Sequence, residues 1–285
     1  MEIVRTVSEM KTRSRELGRD GAVVGFVPTM GFLHEGHLTL VRTARELADT
    51  VVVSIFVNPT QFGPTEDLDK YPRDLERDTA LLEAEGVDVV FVPEPSDVYP
   101  AGYATVVHVQ RLGEKLCGAF RPGHFDGVCT VVAKLFEIVR PNLAVFGQKD
   151  GQQAAIIERM VEDLGLGVQI IRGPTVREAD GLAMSSRNSY LSEEERAEAP
   201  VLRQALLHAA ALFDGGETDA ATVLGEVRAM IESEPHAEVQ YVSAVDWKSL
   251  DDVTELRPGS MLALAVYFGG TRLIDNLVLG DVGGA

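Results

Sequence analysis

Two stretches of this chain leave little freedom of fold. TVVVSIFVN (50–58) and VVGFVP (23–28) are apolar at almost every position and rich in β-branched residues. A strand with one wet face alternates apolar and polar residues. A strand that is apolar throughout must be covered on both sides, which suits a parallel sheet between two layers of helices. The segments around these runs fit that architecture. Between them, Leu38, Val41, Ala44, Leu47 and Ala48 fall on one helical face. Residues 74–86 read as a helix stopped at Gly86, and DVVFVP (88–93) as a third strand. Residues 127–139 read as a mostly buried helix, LAVFG (143–147) as a strand, 151–165 as an amphipathic helix and 168–176 as another strand. This alternation predicts βαβ units in a doubly wound, Rossmann-like parallel sheet, an α/β fold.

The pattern changes near residue 176. A polar, Gly-containing stretch runs to 191, and Ser192 with Glu195 forms a capping-box signature for a helix. Two helical stretches, a strand over 237–246 and a hairpin over 260–280 turning at Gly269-Gly270 complete the chain. The expectation is residues 1–175 as one domain and 176–285 as a smaller α+β domain.

Composition narrows the function. There are 26 Lys plus Arg against 44 Asp plus Glu, a net charge of −18. That balance disfavours a nucleic-acid partner, which needs clustered positive charge, but permits binding of a single nucleotide. Cys117 and Cys129 are too few for a disulfide framework and have no companions at metal-ligand spacing. The first twenty residues lack an apolar signal core, and the longest apolar run, MLALAVYF (261–268), is too short to span a bilayer. A cytoplasmic protein without a membrane partner is expected.

Four constellations carry chemistry; the first, second and fourth lie just beyond an expected strand, where parallel α/β sheets bind ligands, and the third lies in the polar stretch at the domain boundary. The first is Pro28-Thr29-Met30-Gly31 followed by His34-Glu35-Gly36-His37. A helix N-terminus offers free N–H groups and partial positive charge to a phosphate, and histidines three apart can face the same way. HEGH does not have the H-E-x-x-H spacing of a zinc site, although two histidines at a helix start can also be plain caps. The second is Phe146-Gly147-Gln148-Lys149-Asp150, in which Lys149 suits an ATP phosphate and Asp150 a ribose or a metal; in isolation the pair reads as a surface ion pair. Gln153 follows one helical turn later. The third is Met184-Ser185-Ser186-Arg187, two hydroxyls and a guanidinium on a loop able to close over a triphosphate. The fourth, Asn58-Pro59-Thr60-Gln61-Phe62, offers amides for hydroxyls or carboxylates, and equally a turn built on Asn58-Pro59. His34, His37, Lys149 and Arg187 form the set able to spread charge in a reaction between two anions.

Together PTMGFLHEGHLTLV, FVNPTQF, DLDKYPRDLERD, RPGHFDGVCTVVAKLF, FGQKDGQQ and PTVREADGLAMSSRNSYLS resemble, in order, the sequence blocks of the pantothenate synthetase family. HxGH alone recurs in other nucleotidyltransferases, which remain the alternative reading; the other blocks do not. The resemblance implies ATP-dependent condensation of pantoate with β-alanine through a pantoyl-adenylate, in a Mg²⁺-dependent homodimer. It implies that Met30, Gly31, Phe32, Leu33, His34, Glu35, Gly36 and His37 line the ATP site, with His37 as proton donor. Gly147, Gln148, Lys149, Asp150, Val176, Met184, Ser185, Ser186 and Arg187 would also hold ATP. Gln61 and Gln153 would bind pantoate, Gln61 also lying near β-alanine, with Asn58, Tyr71 and Arg121 as further cleft residues. Asp78 and Asp150 are candidates for the metal, whose ligands stay unassigned. Phe120 and Gly151 stand where many members carry Ser and a larger residue.

Overall fold

The apolar runs do become covered strands. The computed structural model describes residues 1–63 and 68–280; Pro64 and Asp67, the latter opening the DLDKYPRDLERD block, lie outside them. In chain order the first elements are β1 (Glu2–Val4), α1 (Val7–Leu17), β2 (Val24–Thr29), α2 (Glu35–Leu47), β3 (Thr50–Ile55), α3 (Leu75–Ala84) and β4 (Val89–Phe91). The one-turn helices α4 (Pro95–Val98) and α5 (Cys117–Phe120) follow, then α6 (His124–Val139), β5 (Leu143–Gly147), α7 (Gly151–Leu164) and β6 (Gln169–Gly173). The six strands form one parallel sheet in the order β1-β4-β3-β2-β5-β6.

Adjacent residues of β2 show why the run is apolar on both faces. Phe26 meets the edge of Phe136 on α6, with ring centroids 6.4 Å apart. Val27 points the other way, into a cluster with Leu33, Val41 and Ala44 around α2. Two of the expected inward positions differ: Leu47, in the last turn of α2, is 47% exposed, and Ala48 caps the helix and is half-buried. The order places the topological switch between β2 and β5, which pair at Gly25↔Leu143 and Phe26↔Ala144. Ligands of doubly wound sheets bind beyond the strand C-termini at such a switch. β2 ends at Thr29, so the His34–His37 segment emerges there.

By internal packing the chain divides into two units. The first comprises Met1–Glu114, Gly118–Gly147 and Ile156–Gly173; the second comprises Lys115–Cys117, Gln148–Ala155 and Pro174–Ala285. The second unit contains α8 (Glu193–Glu198), α9 (Val201–Asp214), α10 (Ala220–Glu232) and an antiparallel sheet of β7 (Ala237–Asp246), β8 (Ser260–Phe268) and β9 (Thr271–Val278), in that order. Its core joins Leu202, Leu206, Val223 and Val227 of the helices to Leu262, Leu264 and Val266 of β8. The Ser192–Glu195 capping box forms as expected, and β8 turns into β9 at Gly269-Gly270, with Gly269 at φ 54°.

Candidate active site

The connection from β2 to α2 is a tight turn held from below. Thr29 Oγ1 donates to the Ser54 carbonyl at 2.8 Å and accepts from the Gly31 amide at 3.2 Å. Gly31 has φ 81°, and a Cβ there would lie 3.0 Å from both Asp78 Oδ2 and Ile55 Cγ2, so only glycine fits without strain. Asp78, on α3 and 1% exposed, accepts the amides of Phe32 at 2.6 Å and Leu33 at 2.8 Å. Burial pushes its carboxyl up from the ordinary range, while the two amides and Arg77 pull against that shift. Asp78, a candidate metal ligand from sequence, thus has each of its oxygens accepting one amide of this turn.

His34 caps α2 in an unusual manner. Its Nδ1 accepts the Gly36 amide at 3.2 Å, and His37 Nδ1 accepts the His34 amide at 3.3 Å. This is the reciprocal geometry of a capping box, built from two imidazoles in place of a hydroxyl and a carboxylate. The ring centroids lie 4.1 Å apart. Each ring accepts through Nδ1, so in its neutral form the proton sits on Nε2. That form places an N–H donor on each ring at a helix N-terminus, where the backbone also favours anions. Glu35, by contrast, is exposed and paired with Arg42.

Gln61 is fixed beside this turn in the same unit. Its Nε2 donates to Met30 Sδ at 2.9 Å, and its Oε1 accepts from Asn58 Nδ2 at 3.3 Å. Gly127 permits this, because a Cβ at that position would come within 2.3 Å of the Thr60 carbonyl oxygen. His124, at the start of α6, bonds the Gln61 carbonyl through Nδ1 at 2.8 Å and lies 3.0 Å from Arg121 Nη1 through Nε2. The same carbonyl accepts from Arg121 Nη2 at 3.5 Å. Sequence reasoning placed Arg121 here but missed His124; an imidazole in RPGHF beside Arg121 was the available signal. Tyr71 is buried and packs edge-on against Phe62.

The remaining expected residues belong to the second unit, except Gly147, which ends β5. Gln148 and Lys149 are held by Asn276 of β9: its Nδ2 donates to their carbonyls at 2.9 and 2.8 Å, and its Oδ1 accepts Gln148 Nε2 at 2.9 Å. Lys149 Nζ lies 3.7 Å from Asp150, whose side chain is 46% exposed. Gly151 matters here, because a Cβ would meet Met261 Sδ at 2.9 Å and Asn276 at 3.1 Å. Gln153 is half-buried in the first turn of α7. Val176 and Met184 close a narrow loop through a 2.9 Å backbone bond. Ser185 caps the short turn that carries Ser186 and Arg187. The loop is pinned: Arg177 pairs bidentately with buried Asp275 at 2.7 and 3.0 Å, and Arg196 pairs with Glu178 and Asp180. Asp275 and Asn276 were not anticipated. Two consecutive polar residues inside the apolar strand TRLIDNLV were the signal.

Comparison with known proteins decides the family. Residues 2–278 match the family model described as pantoate-beta-alanine ligase. The chain belongs to the pantoate–β-alanine ligase family. It is accordingly an enzyme, a ligase that forms an amide bond. Among relatives, the pantothenate synthetase of Heliobacterium modesticaldum is 57% identical over 98% of this chain and 99% of its own length. That of Pelotomaculum thermopropionicum is 55% identical over 99% and 100%. The crystal structure of pantothenate synthetase from Thermus thermophilus superposes with a TM-score of 0.93 at 48% identity, covering 98% of this chain and 99% of that one. The family member from Francisella tularensis, complexed with beta-gamma ATP and beta-alanine, gives 0.80 at 34% identity over 98% and 97%. No helix among the described residues is long and apolar enough to cross a membrane.

Proposed function

We propose that the protein condenses pantoate with β-alanine, converting ATP to AMP and pyrophosphate through a pantoyl-adenylate. The observation that carries this reading is the Gln61 amide beside Met30, on the same turn that presents the His34–His37 pair. A phosphate-binding turn alone serves any nucleotidyltransferase; an oriented amide next to it adds recognition of a second, oxygen-rich substrate.

The first step is attack of the pantoate carboxylate on the α-phosphorus of ATP, with pyrophosphate leaving. Both reactants are anions, so the work is positioning and charge dispersal. His34 and His37 supply Nε2–H donors to phosphate oxygens, and Lys149 and Arg187 supply permanent charge. The carboxylate is already ionised near pH 7 and needs no general base. This gives His37 the task of donating a hydrogen bond to departing pyrophosphate. In the second step the β-alanine amine attacks the activated acyl carbon and AMP departs. Gln61 and Gln153 hold pantoate; Met30 to His37, Gly147 to Asp150, Val176 and Met184 to Arg187 hold ATP. Residues 1–175 act as the ATP- and pantoate-binding domain and 176–285 as a lid. The enzyme works as a cytoplasmic homodimer.

Mg²⁺ accompanies ATP in this reading. No three His, Cys, Asp or Glu side chains cluster as a metal cage among the described residues. Mg²⁺ commonly binds through substrate phosphates with one or two carboxylates. Asp150, accessible beside Lys149, fits that role, and the ion would add charge neutralisation at the phosphates.

Pantoate-dependent exchange of pyrophosphate into ATP should proceed without β-alanine, while AMP release should require both acids. Absence of exchange would sink the proposal. His37→Ala should slow single-turnover adenylation by on the order of 10²-fold.

A further inference from the structure

Gln61 can recognise an oxygen only if its carboxamide is held one way round. The hydrogen bonds that hold it lead away from the site, to a tyrosine no sequence motif had singled out. Asn58, 1% exposed, accepts on its Oδ1 three times: from the Tyr99 hydroxyl at 2.9 Å, the Thr60 hydroxyl at 3.0 Å and the Thr60 amide at 3.3 Å. Its Nδ2 donates to the Gly127 carbonyl at 3.1 Å and to Gln61 Oε1 at 3.3 Å. Turning the Asn58 amide over would set its nitrogen against the Thr60 N–H and its oxygen against the Gly127 carbonyl, while the Tyr99 and Thr60 hydroxyls, 3.2 Å apart, would each give up a donor bond to the oxygen. A buried polar group loses heavily in such a mismatch. With Asn58 fixed, Gln61 Oε1 is committed as an acceptor and Nε2 is the end left to face a ligand. That nitrogen rests on Met30 Sδ, a weak acceptor that a carboxylate or hydroxyl oxygen displaces at little cost.

Tyr99 is itself held rigidly. Pro95 begins α4, and the Tyr99 amide closes that single turn on the Pro95 carbonyl at 2.8 Å. The ring packs against Phe56 at 6.3 Å and Tyr103 at 5.1 Å between centroids, with Lys134 Nζ 5.6 Å from its centre.

We infer that Tyr99 is a positioning residue: its hydrogen bond holds in place the Asn58 amide that the Thr60 N–H and the Gly127 carbonyl orient, and Asn58 in turn keeps Gln61 with its N–H donors toward the hydroxy-acid substrate's acceptor oxygens. The inference rests on the reading of Gln61 as a pantoate contact.

The test is steady-state kinetics of Tyr99→Phe, Gln61→Ala and the double variant, with melting temperatures recorded. Tyr99→Phe should raise the pantoate KM roughly three- to ten-fold, the effect of one hydrogen bond, and leave the ATP KM within about two-fold. In the Gln61→Ala background the same change should add nothing, because the relay has lost its end point. Tyr103→Phe removes a neighbouring hydroxyl without touching Asn58 and should behave as wild type. Asn58→Asp keeps the bond from Tyr99 but removes the donors to Gln61 and to the Gly127 carbonyl, and should raise the pantoate KM alone while lowering the melting temperature. Equal losses for both substrates, an unchanged pantoate KM in either Tyr99→Phe or Asn58→Asp, or an undiminished Tyr99 effect without Gln61 overturns the relay. If Gln61→Ala alone leaves the pantoate KM unchanged, the assignment of Gln61 fails instead.

Discussion

At the start of α2, His34 occupies a position that Ser, Thr, Asp or Asn normally fill. One imidazole serves two ends: Nδ1 caps the helix through the Gly36 amide, and Nε2 is the edge assigned to a phosphate oxygen. The two roles can be separated by substitution. Asn is among the best N-caps, and its Oδ1 can accept the same amide. His34→Asn should therefore hold the unfolding free energy near that of the parent, whereas His34→Ala should cost about 1 kcal/mol as a lost cap. Both should slow adenylation, because both remove the Nε2 donor. Urea unfolding paired with single-turnover adenylation measures the two effects on the same proteins, and an active His34→Asn variant would reduce the histidine to a cap. The sequence pointed to this pair, since HxGH after a buried strand places two rings on one turn. It could not show the ring-to-backbone exchange, nor that Asp78, some forty-five residues onward, would anchor the turn beneath them. An acidic residue in a helix looks the same whether it faces a metal or two amides.

Elements were legible where periodicity alone decides them and less so where packing does. β2, β5, α7 and the β8–β9 hairpin fall close to where the pattern put them. The run over 50–58 ends as a strand at Ile55, because Asn58 and Pro59 start a turn. The run over 168–176 shortens to Gln169–Gly173, ending where a glycine is packed against: a Cβ on Gly173 would come within 2.3 Å of Leu40. β1 and the lateral strand order left no signal that short-range pattern reading detects, since register between distant segments is set by tertiary contacts. The same holds for β9. Its Asp275 and Asn276 hold two separate segments, the loop bearing Ser185 to Arg187 and the Gln148–Lys149 backbone. Asp275→Asn would leave the Arg177 guanidinium, whose side chain is only 16% exposed, without its carboxylate. Breaking such a pair from one side should destabilise the protein by roughly 2–3 kcal/mol, towards the lower end for a partly solvated partner. Because the loosened loop is assigned to ATP, the ATP KM should rise more than the pantoate KM. Thermal melts and the two KM values check this, and an equal rise in both would argue against the assignment of the loop.

Over the whole molecule, the charge of −18 opposes the proposed substrates, since ATP and pantoate are both anions. The cations assigned to the site act at contact distance, whereas the net charge acts across the solvent around the protein. The two ranges respond differently to salt. The screening length is about 30 Å at 0.01 M ionic strength and about 8 Å at 0.15 M. Added salt therefore removes the long-range repulsion first and weakens close contacts less. The value of kcat/KM for ATP should rise, by about two-fold or more, between those two conditions at constant free Mg²⁺. Pantoate, with a single negative charge, should rise less. β-Alanine is a zwitterion without net charge near pH 7 and should hardly respond, which makes it a control within the same enzyme. That ordering by charge separates a field effect from a general effect of salt on the protein, which would move all three substrates together. A fall for ATP and pantoate would mean that the basic residues of the site outweigh the rest of the surface at encounter distance.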